Sequence, residues 1–332
     1  MKTLPLFAGL DVHSEFTVGT IVDEMGNAVR ELKVPTSEVG FKRLFSGLKN
    51  VTAVYEAGRN WTYIAGLLKP YCSFKLAHPL KVRLIASARV KTDEIDSRVL
   101  AHLLRTDFIP ESYMPEDQIV ELRNLVRYRV RLGRMRAHLK NRSHSILARE
   151  GHISDFKPYE KKAKLWIQNL KMNPVNRDEL EHTLKLIEDL SFKIKELDER
   201  LEKERLNYPE VNLLTSIPGI ATYSALLILA EVGDFKRFPT ADKLAAYSGL
   251  VSSTHQSGNT CYQGRITKQG NRWLRWILTE CAHISVRKSH RLQKFYLRIK
   301  HKRGEQKAIV ATARKMLTTI WYMLQRNEAY RG

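Results

Sequence analysis

The chain has 332 residues, with 56 Lys and Arg against 35 Asp and Glu, and a formal net charge of +21 at pH 7. Hydrophobic residues make up 43% of the chain, which is enough for two or three packed domains and excludes an intrinsically disordered protein. The excess of positive charge favours a polyanionic partner, and nucleic acid first, because each cation that neutralises a phosphate releases a counterion.

An anionic membrane surface is the competing polyanion. No apolar run approaches the roughly 18 residues that span a bilayer, and no signal peptide is visible, so we expect no membrane partner. The cysteines, Cys72, Cys261 and Cys281, are odd in number and widely spaced, unlike those of a zinc site or a disulfide framework. We therefore expect a cytoplasmic protein.

The first hundred residues alternate between strand and helix patterns. Runs rich in β-formers at 6–13, 16–22 and 28–34 predict a three-stranded meander. Helices and strands then alternate, at 37–48 (helix), 51–55 (strand), 60–69 (helix), 73–77 (strand) and about 93–106 (helix). The order β-β-β-α-β-α-β-α is that of the RNase H-like fold, so we expect an α/β domain of this type.

Carboxylates stand at the ends of these predicted elements. Asp11 and Glu56 end the first and fourth strands, while Asp93 and Asp96 are three residues apart on the last helix and so share one side. A buried carboxylate is costly unless a cation offsets it, and hard oxygen ligands suit Mg²⁺, with Mn²⁺ as the alternative. The four acids predict a metal site, although a lone Asp here is usually a strand-end cap or turn former.

His13 lies two residues beyond Asp11 and therefore on the same face of the strand. It could orient a phosphate or a water, or it could be an ordinary histidine at a strand end.

From about residue 116 the pattern changes to long helices. Between Arg123 and Arg149 there are nine Lys or Arg and no acid, with apolar residues at helical spacing. Solvated charged faces normally mix both signs, so we expect this helix to contact phosphates. The residues expected to do so are Arg123, Arg127, Arg131, Arg134 and Lys140.

A second long helix is predicted at 178–206. Its apolar residues follow steps of three and four, broken only at Thr183, which is the pattern of a short coiled-coil seam. The helix could pair with the 117–148 helix or with a second chain, and the sequence does not choose between them.

The last third opens with Leu-Leu-Thr-Ser-Ile-Pro-Gly-Ile at 213–220, followed by an apolar helix at 222–232. This pattern resembles a helix-hairpin-helix, whose turn offers backbone N–H groups to a phosphate. Ala221 stands where such hairpins usually have a second Gly, so a purely structural helix pair is the alternative.

A polar, Gly-rich segment at 246–258 precedes a basic one at 264–275. A serine hydroxyl can attack a scissile phosphate that nearby cations hold, and Ser257 is the candidate nucleophile. Ser-Gly alone is most often a turn, and neighbouring hydroxyls leave Ser253 as the next choice. The candidate phosphate-binding cations are Arg265, Lys268, Arg272 and Arg275.

Six motifs occur in order along the chain. They are Gly-Leu-Asp-Val-His (9–13), Tyr-Glu-Ala (55–57), Lys-Thr-Asp-x-x-Asp (91–96), Ile-Pro-Gly-Ile (217–220), Ser-Gly (257–258) and Gly-Arg-Ile-Thr-Lys-x-Gly (264–270). Together they resemble the DEDD transposases of insertion sequences, and the resemblance spans nearly the whole chain. Ser97 departs from that pattern, because Ala is usual after the second Asp.

The resemblance implies an RNase H-like, resolvase-type catalytic domain (1–112), a basic helical and coiled-coil region (113–207) and a mainly helical C-terminal transposase domain (208–332). It implies that Asp11, Glu56, Asp93 and Asp96 bind Mg²⁺ and that Ser257 forms a transient phosphoserine link to double-stranded DNA. It also implies a structured guide RNA, encoded by the element, that pairs with donor and target DNA.

We therefore expect an enzyme that cuts and rejoins DNA, working as a homodimer or tetramer in which one subunit's acids meet another's serine. A metal-only, structure-selective endonuclease resembling Holliday-junction resolvases would explain the acids but not the serine segment. A non-catalytic nucleic-acid scaffold would use the basic helices alone.

Overall fold

In the computed structural model, residues 4–86, 92–153, 157–160, 162–257 and 260–332 are described. The chain forms two compact units, residues 1–114 and 115–332. The first unit combines a β-sheet with helices and the second is mostly helical, as the sequence predicted. The three-part division at residues 112 and 207 stays a prediction.

A five-stranded sheet forms the centre of the first unit. Its strands are β1 (Leu6–Val12), β2 (Phe16–Val22), β3 (Ala28–Pro35), β4 (Val51–Glu56) and β5 (Ser73–Ala77). They lie in the order β3-β2-β1-β4-β5. β2 pairs antiparallel with both β1 and β3, whereas β4 pairs parallel with both β1 and β5. The meander and both later strands were predicted to within one residue at each end.

Helices cover both faces of this sheet. They are α1 (Glu38–Phe45), α2 (Trp61–Leu68), α3 (Pro79–Ile85) and α4 (Asp93–Arg105). Leu10 and Tyr55 face the core that also contains the buried residues of α1 and α2. Val54 lies in the opposite core, with Leu100 and Leu104 of α4. α3 was not predicted from the sequence, although Pro79 in its first turn is typical of a helix start.

Two long helices open the second unit. They are α5 (Asp117–Arg149) and α7 (Pro174–Glu204), with the short α6 (Ala163–Gln168) between them. An ion pair joins Arg129 of α5 to Asp198 of α7, and another joins Arg142 to Glu179. The predicted 178–206 helix therefore packs within the chain, and Thr183, which broke its apolar register, is buried.

The rest of the second unit packs around one buried helix. Its elements are α8 (Glu210–Thr215), α9 (Thr222–Val232), α10 (Ala241–Ser248), β6 (Ser252–Ser257), β7 (Thr260–Ile266), α11 (Arg272–Lys288), α12 (His290–Arg303) and α13 (Glu305–Arg326). Nearly all of α9 is buried, which explains why it is apolar on every face. Its core also includes Leu122 and Val126 of α5 and Leu201 of α7.

The expected helix pair at 213–232 is present as α8 and α9. Gly219, in the connecting turn, has φ +101°, and a Cβ there would lie 2.6 Å from Ser285 Oγ. Glycine is therefore required both by the backbone and by the space. Among the described helices, none combines the length and the apolar character needed to cross a bilayer.

Candidate functional site: an Asp11 cluster and a serine hairpin

The acids that end β1 and β4 lie at the same edge of the sheet. These strands are parallel, with Leu10 opposite Tyr55, so Asp11 and Glu56 stand one step further along the same register. Because side chains alternate along a strand, both carboxylates face away from the core that contains Leu10 and Tyr55. They share the side of the sheet on which α4 packs.

Asp11 comes together with His13 and Asp93. The His13 Nε2 atom lies 3.2 Å from Asp11 Oδ2 and 3.4 Å from Asp93 Oδ1. One ligand atom from each of the three lies within 4.8 Å of the others. We call this set the Asp11 cluster. Its side chains are only partly buried, so an ion and its waters could reach them from solvent.

The electrostatics of the cluster oppose an isolated negative charge. Burial raises the pKa of the Asp11 carboxyl, and the nearby charges of Asp93 and Asp96 add to this effect. The charge and hydrogen bond of His13 lower the same pKa but do not cancel the rise. A cation bound among these carboxylates would relieve their mutual repulsion.

The first turn of α4 places the second pair of acids. Thr92 caps the helix, since its hydroxyl accepts a hydrogen bond from the Ile95 backbone N–H at 3.3 Å. Asp93 and Asp96 therefore lie near the positive end of the helix dipole, which by itself favours acids there. The dipole is thus a structural reason for these carboxylates, independent of a metal.

Close packing holds α4 against β1 and β2. A Cβ on Gly9 would lie 2.0 Å from the Ser97 carbonyl oxygen and 2.3 Å from the Ala101 nitrogen, so only glycine allows this approach. The buried hydroxyls of Ser97 and Thr20 are hydrogen bonded at 2.9 Å. The Ser97 that departs from the family pattern therefore fastens α4 to the sheet beside the acids.

The predicted acids do not all enter the Asp11 cluster. Glu56 is exposed and Asp96 is half-buried, and each makes other interactions. Within the described residues, the mutually close ligand atoms come from Asp11, His13 and Asp93. The sequence had suggested an all-oxygen site, but the spacing of His13 from Asp11 was a visible signal. Lys91, which precedes these acids in the motif, lies outside the described residues.

The second candidate feature is the serine hairpin, residues 252–266, formed by β6 and β7. Ser257 is the last residue of β6, is paired with Thr260, and is exposed. Ser253 is half-buried at an irregular step of the ladder, and a Cβ on Gly264 would collide with its hydroxyl. The two candidate nucleophiles therefore differ in access. Gly258, the second residue of the Ser-Gly motif, lies outside the described residues.

An aromatic pair lies on the serine hairpin. His255 and Tyr262 are cross-strand partners, and their rings stack 5.1 Å apart with an interplanar angle of 17°. His255 is two residues from Ser257 and so points to the same face of β6. Tyr262 is 61% exposed, which leaves this pair accessible beside the serine.

A buried carboxylate anchors the start of α11, the helix that follows the serine hairpin. Glu231 of α9 is fully buried, and Arg127 of α5 donates to its two oxygens at 2.6 and 2.7 Å. Asn271 also donates to Glu231, at 2.7 Å. The Asn271 side-chain oxygen accepts from Trp273 and Leu274 and so caps α11. This network joins α5, α9 and the start of α11, and an acid in the apolar 222–232 run was its only sequence signal.

The cations expected to bind nucleic acid fall into three groups. Three are tied to the protein interior: Arg127 by Glu231, Arg123 by the Ala230 carbonyl and Arg275 by the Ser248 carbonyl. Lys140 is half-buried. Burial lowers the pKa of its amino group, and the nearby positive charges of Arg136 and Lys157 lower it further. The exposed members are Arg131, Arg134, Arg265, Lys268 and Arg272.

Trp273 belongs to the core. It is 9% exposed, and the Arg134 guanidinium lies over its ring at 4.6 Å. It therefore offers no free stacking surface to bases.

Family comparisons cover both units. Residues 8–150 match the DEDD transposase model of IS110 elements, described as a transposase. Residues 211–297 match the model described as the transposase IS116/IS110/IS902 family. Both units thus match transposase families. The first match contains Asp11, Glu56, Asp93 and Asp96, and the second contains Ser257.

Individual transposases and an inverting protein are similar to parts of the chain. The transposase for insertion sequence element IS1111A of Coxiella burnetii is 37% identical over 120 residues, 35% of this chain and 33% of that protein. A putative transposase, y4qE, of Sinorhizobium fredii is 28% identical over 280 residues, 79% of this chain and 68% of that protein.

A pilin gene-inverting protein of Moraxella lacunata is 34% identical over 128 residues, 38% of this chain and 39% of that protein. The chain thus spans less than half of the Coxiella and Moraxella relatives.

Proposed function

We propose that this protein is a transposase that cuts and rejoins DNA through a phosphoserine intermediate on Ser257, assisted by a divalent ion held by Asp11, Glu56, Asp93 and Asp96. One observation carries the proposal. An exposed serine at the end of a β-strand and a carboxylate cluster at a sheet edge occur in two units that each match a transposase family.

The first unit supports the metal part of the proposal. The strand order and the acids at the ends of β1 and β4 are those expected of an RNase H-like domain, and we assign the unit to that fold. The oxygens of Asp11 and Asp93 fit a hard cation. Mg²⁺ suits these donors, and Mn²⁺ also accepts the nearby imidazole of His13.

The ion, when bound, would stabilise negative charge on the scissile phosphate. Asp11 and Asp93 are preorganised for this role, because packing at Gly9 of β1 and the hydrogen bond from Ser97 to Thr20 of β2 fix the position of α4 on the sheet. Holding the reacting groups in one geometry reduces the entropy cost of the reaction.

The second unit supplies the nucleophile. The Ser257 oxygen attacks phosphorus as its proton leaves to solvent or a base, an O–P bond forms, and the bond from phosphorus to the leaving nucleoside oxygen breaks, that oxygen taking up a proton. A hydroxyl of another DNA strand then attacks the same phosphorus, forms the new phosphodiester and releases the serine, which takes up a proton. The number of phosphodiester-type bonds is conserved, so rejoining needs no ATP. Arg265 and Lys268 are exposed on and just after β7, at the end of the hairpin away from Ser257, so we propose that they bind phosphates beside the attacked one.

The proposal extends to assembly and guidance through the family resemblance. We propose a homodimer or tetramer in which the serine of one chain completes the acidic site of another. We also propose that a structured RNA reads donor and target DNA by base pairing. Co-purification of a structured RNA with the full chain, and light scattering of the complex, test these two parts separately.

The central test is a suicide DNA substrate whose cleavage traps the covalent intermediate. In Mg²⁺ the wild type should give an adduct that mass spectrometry maps to Ser257. Ser257→Ala should abolish the adduct, whereas Ser253→Ala, a matched control on the same strand, should retain it. Asp11→Asn should abolish cleavage while leaving DNA binding intact.

Two outcomes would contradict the proposal. Cleavage by Ser257→Ala at the wild-type rate, with free 5′-phosphates, would instead indicate the metal-only endonuclease, in which water attacks. DNA binding without cleavage by the wild type, across donor and target substrates and with the co-purified RNA, would indicate a scaffold.

A further inference from the structure

One helix outside the predicted nucleic-acid segments is strongly basic. Residues 281–304 contain eight Lys or Arg and no Asp or Glu. Most of them lie on α12, which follows α11 after Ser289. Solvated helix faces normally mix both signs of charge, so a one-sign helix calls for a physical explanation.

Four of these cations form a row on one face of α12. Arg291, Lys294, Arg298 and Lys302 are spaced by three, four and four residues, which places them on one side of a helix, and all four are exposed. We call them the basic stripe. The opposite side is apolar, with Leu292 and Tyr296 buried. At 1.5 Å per residue the basic stripe is about 16 Å long.

The basic stripe is not neutralised by carboxylates. Arg291 donates to the Arg331 carbonyl at 3.0 Å, and Arg298 lies 5.4 Å from the Phe295 ring centre. Lys294 and Lys302 have no ion-pair partner in the part of the chain that the structure describes. The nearby Glu305 is engaged by Lys300, which is not a member of the basic stripe.

The predicted basic helix α5 differs in this respect. Four of its arginines make ion pairs with acids of α7 or α9: Arg127, Arg129, Arg142 and Arg149. A cation whose charge is already matched releases fewer counterions when it meets a phosphate. Within the described residues, ion pairs with carboxylates thus engage four of the nine cations of α5 but one of the six cations of α12.

We propose that the basic stripe binds the phosphate backbone of the DNA duplex that flanks the phosphate attacked by Ser257. This inference rests on the proposed function. α11 starts six residues after β7 and ends next to α12, and its 17 residues span about 25 Å. Its start therefore follows the base of the serine hairpin, whereas Ser257 lies at the tip. Duplex DNA covers that distance in about seven base pairs at 3.4 Å each. The duplex that passes the serine hairpin can therefore also reach α12.

The test measures how salt weakens DNA binding by the full chain. Four alanine substitutions, Arg291→Ala, Lys294→Ala, Arg298→Ala and Lys302→Ala, remove the basic stripe from an exposed face. The matched control is Lys185→Ala, Lys193→Ala, Lys195→Ala and Lys203→Ala on α7, an equal loss of charge from exposed positions. That helix mixes both signs. All measurements use a duplex that carries the recombination site.

Each phosphate contact contributes about 0.9 to the slope of log K against log salt, so four contacts contribute about 3.6. Between 50 and 200 mM salt the wild type should then lose about 150-fold more affinity than the stripe variant. The α7 control should retain the wild-type slope. Ethylation interference should also show wild-type phosphate contacts about seven base pairs from those at the start of α11, and the stripe variant should lose them.

Three results would overturn the inference. One is a slope that stays at the wild-type value in a stripe variant with wild-type thermal stability. Another is the same fall of slope in the α7 control, which would indicate only net charge. The third is a fall of slope with a structured RNA of equal length but not with the duplex, which would assign the basic stripe to RNA. Because binding is measured without cleavage, failure of the serine chemistry is distinguishable from failure of this inference.

Discussion

Gly9→Ala should push α4 away from the sheet and so distort the Asp11 cluster, although Gly9 is not a member of that cluster. The new Cβ would lie 2.0 Å from the Ser97 carbonyl oxygen, whereas ordinary contact begins at 3.4 Å, so α4 must retreat by about 1.4 Å (3.4 minus 2.0). The Ser97–Thr20 hydrogen bond, now 2.9 Å, would stretch to about 4.3 Å and break. Asp93, on the same helix, would move away from Asp11.

The expected loss of stability combines two effects. A broken buried hydrogen bond costs about 1 kcal/mol, and overpacking a core costs roughly 1–3 kcal/mol. The sum of about 2–4 kcal/mol should lower the melting temperature by roughly 10 °C. A displacement near 1 Å in a reacting site can cost about 100-fold in rate, so DNA cleavage should fall by a similar factor.

The assays are thermal unfolding by circular dichroism, Mg²⁺-dependent cleavage, and Mg²⁺ affinity by calorimetry. Gly66→Ala is the matched control, because Gly66 is an exposed residue of α2 with open space at its Cβ. That change should stabilise the chain by up to about 1 kcal/mol, since alanine is the better helix former. A Gly9→Ala variant with wild-type melting temperature and metal affinity would refute the reasoning.

Three further predictions concern other parts of the molecule. Arg127→Ala should lower the free energy of unfolding in urea by about 3–5 kcal/mol, because Glu231 would be buried without its cation. Arg131→Ala, a change at an exposed residue of the same helix, should cost less than about 0.5 kcal/mol. Equal losses of stability in the two variants would contradict this. Asp11→Asn should raise the melting temperature in EDTA, because it removes one of several close carboxylates. The same change should abolish the rise in melting temperature that Mg²⁺ gives the wild type. A rise equal to that of the wild type would count against the metal site. At pH 8 a thiol reagent should modify one cysteine of the native chain, exposed Cys261, and DNA should slow that reaction; rapid labelling of two thiols would show that the burial is wrong.

The last prediction follows from the two other thiols. Burial raises the pKa of Cys72 to about 12 and that of Cys281 to about 11, so neither forms much of the reactive thiolate at pH 8. Their reactivity should rise only as the pH approaches those values or as the chain unfolds.

Local patterns were enough to predict the first unit. Runs rich in β-forming residues at 6–12 and 16–22, with turn residues between them, favour β-strands through local preferences. The acids at strand ends were visible because a carboxylate after an apolar run conflicts with burial. The α3 helix was missed, because its seven residues are too short for helical periodicity to show.

Contacts between distant residues could not be read in this way. The partner of Arg127 is 104 residues away, so α5 looked like an unmatched basic helix. Ser97, which departs from the family motif, forms a side-chain hydrogen bond with Thr20, 77 residues earlier. Which charges remain unmatched, and so can bind phosphate, depends on these long-range pairs.

The sequence by itself determined the α/β character of the first unit, the helical character of the second and the identities of the candidate acids and serine, because periodicity and residue type act locally. Only the tertiary structure decided that His13 joins Asp11 and Asp93, that Ser257 is exposed whereas Ser253 is not, and that α12 rather than α5 has the larger share of free positive charge. The physical reason is that burial and charge neutralisation depend on neighbours in space, and those neighbours come from elements far apart in the chain.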